Sequence, residues 1–194
     1  MYTTEQIKAL REKTGAGISE VKKALEEAKG DMARAEELVV RRLGASAAKR
    51  TGREVRAGLV ESYVHGNGRV GAMVELFCET DFVARNPEFR ALAHDLALHI
   101  AALAPRYTSQ SEVPKDAWDA EAAHVREETK GMQKPSAVLG SIVEGKLKSH
   151  FAALSLLDQQ FVKGQNKTVG EVVNEAIGKF GENIKVGRFV RFDL

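Results

Sequence analysis

Along the first 43 residues, hydrophobic positions recur at three- and four-residue spacing, the pattern of helices with one buried face. Thr3 and Gln6 form the capping-box pattern, in which each side chain satisfies a free backbone amide of the first turn, and Ile7 and Leu10 supply the apolar face behind it. Thr14-Gly15-Ala16-Gly17 stops that helix. Val21, Leu25 and Ala28 mark a second helix, Gly30-Asp31 provides a stop and then an N-cap, and Leu38, Val39 and Leu43 mark a third. Three helices this short stand at the low end of independent stability, which suits docking better than chemistry.

From Gly58 the period drops to two. Leu59 to Val64 and Val70 to Cys78 flank His65-Gly66-Asn67-Gly68-Arg69, which predicts a β-hairpin. Val70, Ala72, Val74, Leu76 and Cys78 share one face, so Cys78 reads as a small buried apolar residue. Asn86-Pro87 opens a helix as N-cap and first helical position, with Phe89, Leu92, Ala93, Leu96, Ile100 and Leu103 on one stripe that must pack on the sheet. Helical spacing resumes after Pro114 at Trp118, Ala122, Val125 and Thr129. After an interruption at Lys134-Pro135 it continues at Val138, Ile142 and Leu147. Thr168 to Glu171 is a capping-box pattern ahead of Val172, Val173, Ala176, Ile177 and Phe180. The chain then alternates, with Ile184, Val186, Val190 and Phe192 on one face and Phe189 opposite, a strand expected to join the hairpin. The fold class is therefore α+β: three N-terminal helices over 1–43, a linker over 44–57, and over 58–194 a small sheet of about three antiparallel strands packed with helices.

Composition narrows the function. The 194 residues are 29% charged and 43% hydrophobic, as in an ordinary folded protein. The net charge of +2 demands no nucleic-acid partner. No apolar run reaches the roughly 18 residues of a membrane span, and the start has no signal- or transit-peptide layout, so the expected location is the cytoplasm. One cysteine, Cys78, excludes an internal disulfide and a multi-thiolate metal site.

Catalytic chemistry is not visible. Gly15-Ala16-Gly17 lies between helices and lacks the third glycine of a phosphate-cradling loop. His94 and His99 stand five apart, on different helix faces, which argues against a two-histidine metal site. No cofactor and no metal site are expected. The basic stretch Arg41, Arg42, Lys49, Arg50, Arg53 and Arg56, with only Glu54 inside it as counter-charge, reads either as a solvated linker or as an RNA-binding accessory module. It carries no aromatic residue for base stacking. The segment that stands out is Glu79-Thr80-Asp81-Phe82-Val83-Ala84-Arg85-Asn86, read as a loop between the end of a strand and a proline-opened helix. In one reading Phe82 or Val83 folds back as a staple on the core. In the other, Phe82 projects as a wedge beside Asp81. Periodicity does not choose between them.

Those residues also carry a resemblance. Leu10 to Gly17, Lys22-Lys23-Ala24-Leu25 and Gly30-Asp31 resemble the amino-terminal signature of the elongation factor Ts family, and Glu79 to Asn86 resembles its second signature. Further similarity lies at Val143 to Lys148, Gln160 to Lys163, Lys167 to Val169 and Arg188 to Phe192, in the family's order. The resemblance implies a guanine-nucleotide exchange factor that is not an enzyme, whose partner is elongation factor Tu. It implies that the three helices form a ubiquitin-associated-like docking module, with Arg11, Ile18, Ser19 and Lys22 at partner-contacting positions. It further implies that Thr80, Asp81, Phe82 and Val83 dislocate the partner's magnesium, and that His99, Val162 and Lys163 make further contacts. Glu20-Val21-Lys22 stands where the family often has Asp-Cys-Lys, a change that bears on packing. The chain is similar to the short members, which implies a homodimer.

Overall fold

The computed structural model describes residues 2–132, 135–164 and 166–194, so Lys134 of the expected interruption lies outside the described residues. Among the described residues the order is α1 (Thr4–Thr14), α2 (Ile18–Glu27), α3 (Met32–Ala48), β1 (Ala57–Val64), β2 (Val70–Cys78), α4 (Asp81–Ala84), α5 (Pro87–Leu103), α6 (Lys115–Thr129), α7 (Ser136–Leu154), α8 (Val169–Phe180) and β3 (Lys185–Asp193). The three strands form one antiparallel sheet in the order β1-β2-β3. The fold is α+β, as its periodicities require.

The N-terminal helices form where their caps put them. Thr3 Oγ1 accepts from the Gln6 amide while Gln6 Oε1 accepts from the Thr3 amide. Gly15 ends α1 at φ 67°, where a side chain would be strained, and its amide donates to the Arg11 carbonyl at 2.8 Å. Asp31 caps α3 by accepting from the Arg34 amide. Leu10, Val21, Leu25, Ala35, Val39 and Leu43 form the shared core. The third helix runs to Ala48, past the expected boundary at residue 43, because Ala47 is still buried.

By backbone packing the chain divides into two compact units. The first comprises Met1–Glu61, Val74–His94 and Glu171–Gly187. Within it α8 approaches α3 closely: a Cβ on Gly178 would stand 2.9 Å from Leu43 Cβ. Phe89 is wholly buried and meets Phe180 edge to face at 5.9 Å, a contact geometry that adds to the gain from burial.

The second unit comprises Ser62–Met73, Asp95–Gly170 and Arg188–Leu194. There α6 and α7 pair through Ala122, Val125, Val143, Leu147 and Phe151, with Trp118 stacked on Phe151 at 4.5 Å. The α7 face differs from the expected one. Val143, Leu147 and Phe151, at four-residue spacing, are buried, while Val138 is exposed. Leu103, at the end of α5, is also exposed. On β3, Arg191 Nε donates to the Ala101 carbonyl of α5 at 3.0 Å. Phe189 is half-buried, and the alternating Val190 and Phe192 are exposed.

Candidate functional site

The segment expected as a loop after β2 is a single helical turn, α4. Thr80 creates it: as N-cap in extended conformation, its Oγ1 accepts from the Val83 amide at 3.4 Å and its carbonyl accepts from the Ala84 amide at 3.1 Å. The turn separates its two apolar side chains. Val83 is 5% exposed and anchors the turn on the core, whereas Phe82 is 85% exposed and Asp81 is exposed beside it. Val83 is thus the staple and Phe82 projects. A large aromatic ring in water is held there by the backbone of the turn, since its own side chain gains nothing from packing.

Residues distant in sequence fix the turn. Glu182 Oε2 accepts from the amides of Glu79 and Thr80 at 3.1 and 3.0 Å, and Glu182 Oε1 accepts from the Thr80 hydroxyl at 2.6 Å. The exchange is reciprocal, because the Asn183 amide donates to Glu79 Oε1 at 2.6 Å. The Asn183 side-chain amide in turn donates to the carbonyls of Thr51 and Arg53 at 3.2 and 2.6 Å. Beneath the turn the buried Cys78 thiol donates to the Thr80 carbonyl at 3.2 Å. Burial foremost, with the nearby Glu182 carboxylate, pushes that thiol up to about 11 and keeps it protonated. Cys78 is the small buried residue that the alternation predicts.

In the second unit, His99, Val162 and Lys163 come together. His99 is fully buried, so it supports a surface without being part of one. The Gln159 side-chain amide donates to the Ala153 and Leu103 carbonyls at 2.6 and 3.4 Å, which leaves Gln159 Oε1 to accept from His99 Nε2 at 2.9 Å. His99 Nδ1 then accepts from the Val162 amide at 3.2 Å. With one nitrogen donating and the other accepting, the network requires a neutral imidazole. Burial also lowers its pKa, against the smaller upward pull of Gln159. The ring stacks on Phe161 at 5.8 Å. Val162 is exposed on the resulting turn, and Lys163 Nζ pairs with Asp95 at 2.5 Å.

In the three-helix region, Ile18, Ser19 and Lys22 are exposed along one face at the start of α2, and Arg11 is exposed on α1. Ile18 is a large apolar side chain half in water. Half of the basic stretch is paired within the chain: Arg42 pairs with Glu27 at 2.5 Å, Arg53 with Glu79 at 3.5 Å and Arg56 with Glu54 at 2.8 Å. Arg50 bonds Ser46. Among the described residues Arg41, Lys49 and Arg50 make no ion pair. Sequence reasoning missed Glu182, Asn183 and Gln159. The one local signal was three polar or small residues, Gly181-Glu182-Asn183, between a helix and a strand.

Comparison with known proteins covers nearly the whole chain. The family model described as Elongation factor TS matches residues 2–194. Elongation factor Ts of Fervidobacterium nodosum is 46% identical over 192 residues, covering 99% of this chain and 98% of its own length. That of Thermosipho melanesiensis is 46% identical over 194 residues, covering 100% and 99%. That of Carboxydothermus hydrogenoformans is 45% identical over 194 residues, covering 100% and 89%.

Proposed function

Because this chain belongs to the elongation factor Ts family, we propose that it is a guanine-nucleotide exchange factor for elongation factor Tu. It binds the GDP-bound partner, dislocates the magnesium ion and releases GDP so that GTP can bind. It makes and breaks no covalent bond, so it is not an enzyme, and it works in the cytoplasm, where translation factors meet their partner. The observation that carries this reading is Phe82, 85% exposed on a capped turn with Asp81 beside it. Inserted into the partner, the ring would gain what it lacks in the free protein, roughly 1.5–3 kcal/mol.

Even realised wholly as affinity, that gain would be about one to two decades, too little to hold two proteins together. The remainder would come from the surface of the first three helices, with Arg11, Ile18, Ser19 and Lys22, and from Val162 and Lys163 on the turn that His99 supports. Residues 1–43 then serve docking, while 58–194 serve exchange and dimerisation. Coupling is reciprocal: a factor that weakens GDP binding is itself weakened by GDP in the same ratio. The exposed apolar residues Val64, Met73, Val190 and Phe192 on the strands support a homodimer through the sheet. The decisive measurement is release of a fluorescent GDP from elongation factor Tu. Wild type accelerates release, and Phe82→Ala loses most of the acceleration while still binding. No acceleration by wild type sinks the reading.

A further inference from the structure

We propose that Glu182 is a positioning residue for exchange: its carboxylate sets the direction of the Thr80 hydroxyl and so presents Phe82 preformed. The inference rests on the exchange reading above and adds a residue from the far end of the chain, 102 positions from Thr80. A hydroxyl has one proton and two lone pairs. Here the proton is committed to Glu182 Oε1 at 2.6 Å, so a lone pair faces the Val83 amide and caps the turn. The other carboxylate oxygen takes the amides of Glu79 and Thr80, which fixes the backbone leading into α4. All three bonds are charge-assisted, the stronger kind. Without them Val83 still has a reason to be buried and the Ala84 amide still bonds the Thr80 carbonyl, but the Thr80 hydroxyl loses its fixed direction and the angle at which Phe82 leaves the turn is held less firmly. Exchange would then spend part of the gain from Phe82 on ordering the turn at each encounter.

Glutamine is the informative substitution, because it replaces one acceptor oxygen with a donor. Either the two backbone amides lose their acceptor, or the Thr80 hydroxyl loses its own and its direction is no longer fixed by a carboxylate. In Glu182→Gln and Glu182→Ala, the GDP-release rate at saturating factor should fall by about tenfold or more, the equivalent of one charge-assisted hydrogen bond. The factor concentration giving half-maximal rate should stay within about twofold of wild type, because the docking surfaces are untouched. Glu54→Gln, on an exposed ion pair, serves as the control. The double variant Glu182→Ala/Thr80→Val should lose less than the sum of the two single losses, since the two residues share the bond between them. Amide hydrogen exchange of Thr80 and Val83 gives a readout independent of activity. Both amides should lose protection in Glu182→Ala, while those of α2 and α3 keep theirs.

An inactive wild type would defeat the exchange reading alone, and the amide protection would still decide the role of Glu182. A wild-type rate at saturation in Glu182→Ala, or unchanged protection of Thr80 and Val83, overturns the proposal. So does loss of protection throughout the first unit, which would mark Glu182 as generally structural.

Discussion

Two turns in this molecule solve the same problem with different chemistry. At Thr80–Val83, Phe82 is exposed and its neighbour Val83 is buried. At Phe161–Gly164, Val162 is exposed and its neighbour Phe161 is buried. Each turn spends one apolar side chain on the core so that the other can stand in water. The first is tied by a carboxylate, Glu182, accepting from two amides and a hydroxyl. The second is tied by a neutral imidazole, His99, accepting from one amide. An exposed apolar side chain is thus supported by a partner whose protonation state suits the bonds required.

The strongest way to break this comparison is to exchange the roles of anchor and presented residue. Phe161→Ala removes a buried ring and should cost about 3–5 kcal/mol of unfolding free energy, measured by denaturant titration. Phe82→Ala should leave that free energy within about 0.5 kcal/mol, because the ring is already in water. Its cost belongs in exchange, a loss of roughly 10- to 100-fold in GDP release at saturation. A large stability loss in Phe82→Ala would show that the ring packs on the protein and end the comparison.

Acid should loosen the second turn more gently. His99 has a pKa below its ordinary 6.5 in the folded chain, so the unfolded chain takes up the proton first. Stability from this site is whole above pH 6.5 and declines as pH falls from there towards the lowered folded value. Thermal melts of wild type and His99→Gln across pH 5 to 8 check this: the wild-type melting temperature should fall towards the acid end more than that of the variant. The Val162 amide should lose exchange protection over the same range. The smallest effect is expected for Lys163→Ala. It breaks a half-exposed pair with Asp95 and should change stability by less than about 1 kcal/mol, less still at high salt. A larger value would mean that the ion pair, and not His99, holds the second turn.

Much of the fold can be read from residues near each other in sequence. Thr3 with Gln6, Gly15, Asp31 and Asn86-Pro87 fix helix ends through bonds spanning only a few residues, and the structure places helix ends at each. The hairpin follows from two alternating runs around a glycine-rich loop. The differences have two causes. Val138 and Leu103 fit a helical stripe but lie beyond what the neighbouring elements cover, so they are exposed. The α4 turn looks like a loop in the sequence because four residues are too few for a period to show.

The candidate site divides in the same way. Local pattern places Thr80 to Val83 between a strand and a helix, points Cys78 inward, and puts His99 on a helix with an apolar stripe. Local pattern left Phe82 open between staple and wedge, because both place one apolar residue of the pair against the core. Tertiary structure decided it by burying Val83, and it supplied Glu182 from beyond α8 to hold the cap. It likewise made His99 a support, because Gln159 and Val162 reach it from 60 and 63 residues away. Hydrogen bonds of that kind depend on where the chain returns to in space. Periodicity records which side of an element is apolar, and it carries no information about which distant donor or acceptor will meet the polar groups left on that side.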